Sequence, residues 1–175
     1  MAIRRRLLMQ SVSADKPIYT IQNYQCERNA LDTGIYLYQT GSKGYTILLE
    51  SDFSNFTANN APLLLKMGYY FGQWYIQSDA LYGYNGSQTN IITKTNNDKT
   101  WLQSIAYSFN ADTMLITAFW NGETAVTKTI PALIDSNATL KINPENRFDL
   151  TTVLIKSLRI YDYPMTEVEM REKLS

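Results

Sequence analysis

The chain contains no histidine, and that absence removes more chemistry than any residue present supplies. Without imidazole there is no Ser-His-Asp or Cys-His nucleophile, no His-ligated zinc or iron, and no general base of the usual kind near neutral pH. A single cysteine, Cys26, excludes an intrachain disulfide. With no basic helix terminus beside it, its thiol reads as a small buried group and not a reactive one. Sixteen basic residues are balanced by sixteen acidic ones, so the body of the chain carries no net field for nucleic acid or for an anionic membrane. No apolar run approaches the length that spans a bilayer. Arg4, Arg5 and Arg6 make the start basic, but the apolar run behind them stops at Met9, too short for a secretory signal core, so export by that route is not expected.

What is abundant points to strands. Thirteen Tyr, six Phe and three Trp accompany many Thr, Ile and Leu, against eight Gly and five Pro in 175 residues, a composition that favours β-structure in one domain with a good core. Short candidate strands recur at 63–67, 74–78, 81–84, 91–95, 124–130 and 140–142. Asn85-Gly86, Asn96-Asn97-Asp98, Asn110-Ala111-Asp112 and Asn121-Gly122 supply the left-handed turn residues that hairpins need. Three Asn-X-Ser/Thr triplets, at Asn55, Asn85 and Asn137, read as turn residues in a chain so rich in Asn, Ser and Thr. No internal repeat, low-complexity tract or domain-length linker interrupts the pattern.

The closing segment is the most informative. From Arg147 it reads RFDLTTVLIKSLRIYDYPMTEVEMREKL, a β-branched strand, a proline stop at Pro164 and a helix opened by a capping box, Thr166 with Glu169. Regular alternation puts Val153 and Ile155 on one face and Leu154, Lys156 and Leu158 on the other. Sheltering Val153, Leu154, Ile155, Leu158 and Ile160 together therefore calls for a central strand buried on both sides. The order strand, Arg-Ile-Tyr-Asp and Met-Thr-Glu-Val-Glu resembles the end of concanavalin A-like lectin/glucanase jelly rolls, especially the laminin G-like branch. Over 31–174 the likeness continues in Tyr45 to Glu50 after a lead-in strand at Gly34 to Tyr38, and in Ser104 to Phe109 paired with Met114 to Trp120 before the Asn121-Gly122 turn.

That resemblance implies an all-β fold: a concanavalin A-like jelly-roll β-sandwich of two antiparallel sheets, with an extended N-terminal arm at 1–30, the lectin-like domain at 31–175 and a short C-terminal helix. It leaves function open among glycan binding, hydrolysis and scaffolding. Hydrolases of this fold carry E-x-D-x-E on one strand, alternation bringing the carboxylates to one face as nucleophile and acid. The nearest match, Glu50-Ser51-Asp52-Phe53-Ser54, lacks the third carboxylate and lies on an early strand, so no enzymatic activity is expected. Lectins and laminin G-like modules often hold calcium on rim loops with oxygen ligands, and Asp79, Asn97 and Asp98 are the candidates here. Asn-Asn-Asp is equally good hairpin chemistry.

The aromatics are the other signal. Flat rings bind the apolar face of a pyranose while amides and carboxylates meet its hydroxyls, and Tyr69, Tyr70, Trp74, Gln77, Tyr82 and Tyr84 are the candidate glycan-binding residues. Core packing and interface cover are the competing uses of the same rings. Trp101 and Trp120 read as core or strand-edge residues.

Residues 1–30 show little alternation and are not expected to fold alone. They require either a face of their own sandwich or a neighbouring chain. A basic arm, no signal peptide and a lectin-like jelly roll together resemble the small structural proteins of tailed bacteriophage particles, capsid decoration or fibre subunits. On that reading the protein is made in the host cytoplasm and resides in the virion, Arg4, Arg5 and Arg6 make assembly contacts, and the partners are other virion proteins, copies of itself and host-surface or mucosal glycans. The alternative is a carbohydrate-binding lectin module, with a glycoside hydrolase as the outlier.

Overall fold

Alternating apolar and polar residues, cut by asparagine turns, build two six-stranded antiparallel sheets. The structure, a computed structural model, describes residues 16–39, 41–56, 63–67, 71–77, 80–85, 88–93, 104–129, 138–147 and 149–175. For the strands between 63 and 93 it describes the backbone, together with the burial of Leu64 and Leu65. In chain order the strands are β1 (Tyr19–Gln25), β2 (Leu31–Asp32), β3 (Gly44–Asp52), β4 (Leu63–Met67), β5 (Phe71–Gln77), β6 (Ala80–Asn85), β7 (Gln88–Thr93), β8 (Ser104–Asn110), β9 (Leu115–Trp120), β10 (Val126–Thr129), β11 (Lys141–Ile142) and β12 (Leu154–Tyr161), followed by helix α1 (Glu167–Leu174). The first sheet runs β1-β12-β3-β8-β9-β10 and the second β2-β11-β4-β5-β6-β7. This is the two-sheet jelly roll with a short C-terminal helix that the sequence implies.

The closing strand is central, between β1 and β3, but it is not sheltered as regular alternation requires. The pairing with β3 shifts between Ile155 and Ser157, and Lys156 is the extra residue of the bulge. One inserted residue resets the two-residue period. Val153, Ile155, Leu158 and Ile160 consequently all lie in the main core, whereas Leu154 is only half-buried. The strand begins at Leu154 rather than near Arg147, because Asp149–Thr152 forms a 3-10 turn. Arg147 pins that turn through two bonds to the Asp149 carboxylate, 3.0 and 2.7 Å.

Residues 19–25 of the arm belong to the sandwich. Strand β1 pairs with β12 in one unbroken register, with Asn23, at φ 51°, falling between the Gln22–Ser157 and Tyr24–Ile155 pairs that flank Lys156. Asparagine tolerates that left-handed backbone better than most residues. The left-handed backbone at Asn23 lets Tyr19, Ile21 and Tyr24 all pack against the core despite their uneven spacing. Its own sandwich thus holds this part of the arm. The lead-in expected at Gly34 to Tyr38 is irregular instead, because neighbouring side chains take the backbone groups a ladder would use. The Asp32 carboxylate accepts the Gly34 N–H at 2.9 Å, and the Thr33 hydroxyl accepts the Ile35 N–H at 3.2 Å while donating to the Leu140 carbonyl. Such local bonds compete directly with strand pairing.

Two glycines meet backbone demands that other residues satisfy poorly. Gly44 enters β3 at φ 134° against the Phe109 carbonyl, where a Cβ would collide. Asn121 and Gly122, at φ 45° and 76°, form the turn that opens the connection from β9 to β10, closed by the Glu123 N–H donating to the Trp120 carbonyl at 2.8 Å, as the Asn-Gly pair predicts.

Helix α1 covers the outer face of the first sheet. Leu48, Ala106, Phe119 and Tyr161 line that face and bury against Met165 and Met170. The corner before the helix is fixed by buried hydroxyls: the Met165 N–H donates to Ser108 Oγ at 2.9 Å and to Thr46 Oγ1 at 3.0 Å, and Thr46 donates to the Tyr163 carbonyl. Arg171 stacks over Phe119 and donates to the carbonyls of Gly122 and Glu123, tying the helix to the β9–β10 turn. Thr166 caps the helix by the expected reciprocal bonds with Glu169. The Thr166 N–H and hydroxyl bonds to its carboxylate hold Glu169 below the ordinary glutamate range. A carboxyl lowered in the folded state stabilises above its unfolded value and loses that contribution as pH falls through the folded one. Thr166→Ala should therefore cost about 1 kcal/mol at neutral pH. Its deficit relative to wild type should shrink in acid below the glutamate range, measured as guanidinium midpoints at the two pH values.

Candidate functional site

In the second sheet the hydrogen-bonded register assigns each position to a face. One transverse row reads Leu31, Ile142, Leu65, Ile76, Leu81, Ile92. Leu65 and Ile142 are fully buried between the sheets, so this row belongs to the inward face. The adjacent row, on the opposite face because side chains alternate, reads Asp32, Lys141, Lys66, Tyr75, Tyr82, Asn90. Gln73, Tyr84 and Gln88 form the next row on that same outward face, and Gln77 shares it opposite Leu63.

The register sorts the aromatic candidates. Gln77, Tyr82 and Tyr84 fall on the outward face, whereas Trp74 stands opposite Met67 and Gly83 on the inward one. Tyr69 and Tyr70 lie outside the described residues, as do the calcium candidates Asp79, Asn97 and Asp98 and the assembly residues Arg4, Arg5 and Arg6. Sequence reasoning missed Tyr75, Lys66 and Lys141. Alternation along Gln73, Tyr75 and Gln77 contained the signal for Tyr75. The lysines become neighbours only through the pairing of β11 with β4.

Asp32, at the end of the outward row, is committed locally. The Thr139 hydroxyl and the Gly34 N–H hold its carboxyl below the usual range, with a smaller contribution from Lys141. Among the described residues no group of three His, Cys, Asp or Glu is placed to hold a metal ion.

The acidic pair on β3 has been given other work. Glu50 meets Arg159 at 3.3 Å and Asp52 meets Lys156 at 3.9 Å. Asp52 also accepts the Ser54 N–H at 2.8 Å, and hydrogen bonds from Ser54 lower its carboxyl further than the nearby lysine does. A carboxylate held ionised in this way is a poor proton donor, the role a glycosidase acid must fill. Cys26 is buried, and burial pushes its thiol up to about 12, which leaves almost no thiolate at neutral pH.

No family model and no curated protein matches this sequence. Solved structures do match the fold. The CBM40 module of the Ruminococcus gnavus IT-sialidase, bound to α2,3 sialyllactose, superposes with a TM-score of 0.61 at 12% identity, over 91% of this chain and 100% of the module. The fold that this chain shares with the module is a jelly-roll β-sandwich. The K499G mutant of the NanB sialidase from Streptococcus pneumoniae gives 0.61 at 11% identity over 88% of this chain, which spans only 27% of that one. Domain 4 of AbnA, a GH43 extracellular arabinanase from Geobacillus stearothermophilus in complex with arabinotriose, gives 0.52 at 15% identity over 75% of this chain and 66% of that one. A lectin-type β-sandwich is thus common ground between the sequence resemblance and the solved structures.

Proposed function

We propose that this chain is a non-catalytic carbohydrate-binding module that uses the outward face of its second sheet. The observation that carries the reading is the match over the whole length of an isolated module bound to α2,3 sialyllactose. The outward row supplies what sugar recognition requires: tyrosines at directly opposed positions 75 and 82, with the amide residues Gln73, Gln77, Gln88 and Asn90 around them. Aromatic faces take the apolar side of a pyranose, and amides both donate to and accept from its hydroxyls.

Support for this reading over the virion subunit comes from the matched structures, which are glycan-handling chains. Of the features behind the particle reading, the basic start at Arg4, Arg5 and Arg6 lies outside the described residues, and the jelly roll serves either reading equally. Catalysis has less support than binding, since the carboxylates Glu50 and Asp52 of the first sheet are paired with Arg159 and Lys156 on the neighbouring strand of that same sheet.

Calorimetric titration of the full chain with α2,3 sialyllactose and with arabinotriose tests the proposal. Saturable binding of at least one sugar is expected, weakened about tenfold or more by Tyr82→Ala. Trp74→Phe, on the inward face, should leave the affinity unchanged. Absence of binding to both sugars, or Tyr82→Ala binding as tightly as wild type, would overturn it.

A further inference from the structure

Helix α1 covers only part of the outer face of the first sheet. Beyond it the register lays down uncharged polar residues: Thr46, Ser108, Thr117 and Thr127 are successive partners across β3, β8, β9 and β10, and Asn110, Leu115 and Thr129 form the next row. Leu115 and Thr117 are half-buried on either side of the fully buried Ile116, which places them on the outward face. At the corner before the helix, Pro164, Met165 and Thr166 join these rows around a cleft of about 250 Å³. At roughly 30 Å³ per water that is room for about eight waters, the scale of one sugar ring and not of a chain. Ser108, Leu115 and Thr117 line it from the sheet, and the end of β8 and its turn supply Asn110 and Thr113.

Two of these groups have donors to spare. The Asn110 amide oxygen accepts the Asp112 and Thr113 N–H groups at 3.0 and 3.1 Å, which fixes the amide and leaves its nitrogen uncommitted. Among the described residues, neither that nitrogen nor the Thr117 hydroxyl has a hydrogen-bond partner. The Met165 N–H, donating to Ser108 Oγ at 2.9 Å, holds the corner against the sheet, so the cleft is built before any ligand arrives. No lining residue is charged. A negative charge stands at Thr166, where the Glu169 carboxylate accepts the N–H and the hydroxyl at 2.7 Å each, and it disfavours an anion. Hydroxyl groups, which both donate and accept, suit the free amide and threonine, while Leu115 and Pro164 offer apolar surface. We propose that this cleft is a second binding site for one neutral pyranose, its hydroxyls on Asn110 and Thr117 and its apolar edge on Leu115. The site lies on the opposite outer face of the sandwich from the second-sheet surface and stands independently of it.

Titration of the full, isotopically labelled chain with methyl β-galactoside and with methyl α-glucoside, followed by amide NMR spectra, tests the site. Saturable shifts are expected at Thr113, Leu115, Thr117 and Met165 with at least one glycoside. Thr117→Val keeps the shape and removes the hydroxyl, and should weaken that binding about fivefold or more. Asn110→Asp should weaken it likewise, since the acceptor that holds the turn stays and the donor is lost. Thr127→Val, one strand further out, should leave the affinity unchanged, and the spectra of the variants report that the fold is retained. Galacturonate, a comparable ring carrying a carboxylate, should bind more weakly than methyl β-galactoside; equal or tighter binding overturns the neutral assignment. No saturable shift at the cleft amides with either glycoside, or Thr117→Val binding as tightly as wild type, overturns the site. Tyr82→Ala separates the two surfaces: cleft shifts that vanish in that variant overturn the second site while leaving the carbohydrate-binding reading intact.

Discussion

Ile155→Ala is expected to lower the unfolding free energy by about 2–5 kcal/mol, whereas its neighbour Leu154→Ala should cost about 1 kcal/mol or less. The two side chains differ by little in size, so the contrast comes from where the backbone puts them. Ile155 is fully buried in the core between the sheets, and truncation there removes transfer free energy and leaves a cavity that well-packed neighbours close only in part. Leu154 faces the other way and is half-buried. Without the Lys156 bulge, Ile155 and Leu158 would occupy opposite faces and could not both join one core. Guanidinium denaturation of the two variants checks the contrast. Equal midpoints for both would show that the strand is buried on both faces, as strict alternation requires, and that the bulge does not govern the core.

The same bulge marks the limit of what the residues disclose. The position of the closing strand, its stop at Pro164 and the Thr166–Glu169 cap are legible because each depends on residues within a few positions of one another. The reset at Lys156 is not, since an exposed lysine in a strand resembles any other outward residue. Strand β1 is hidden for a related reason: Tyr19, Ile21 and Tyr24 reach the core only because Asn23 adopts a left-handed backbone, which breaks the alternation that signals a strand. In the candidate site, Tyr82 and Tyr84 are visible through their two-residue spacing. Tyr75 is masked by Trp74 and Ile76 beside it, and Lys66 and Lys141 are joined only by long-range pairing. Local pattern locates elements, and register assembles the surface that acts.

Asn143→Asp is expected to destabilise the protein by on the order of 3 kcal/mol, although it preserves size, shape and the tolerance of a positive φ. Asn143 is buried at φ 49° in the turn after β11. Its amide nitrogen donates toward the carbonyls of Glu27, Arg28 and Arg147 at 2.8, 3.1 and 3.0 Å, and its amide oxygen accepts the Arg147 N–H at 2.9 Å. The Asn143 N–H completes the junction by donating to the Leu64 carbonyl at 2.8 Å. One side chain thus ties the segment after β1 to the turn that leads into the closing strand, while its backbone anchors that turn to β4. Aspartate keeps the acceptor but turns the donor into a second oxygen facing three carbonyls, so the bonds are replaced by repulsion in a buried site. Asn143→Gly offers the comparison, because it relieves the left-handed backbone and removes both the donor and the acceptor without adding charge. Its cost should be smaller than that of Asn143→Asp at neutral pH. Lowering the pH should narrow the gap, since protonation lets the buried aspartate donate again. Thermal denaturation of the three proteins at neutral and acidic pH measures this, and an Asn143→Asp variant as stable as wild type at neutral pH would show that the three carbonyls do not depend on the amide.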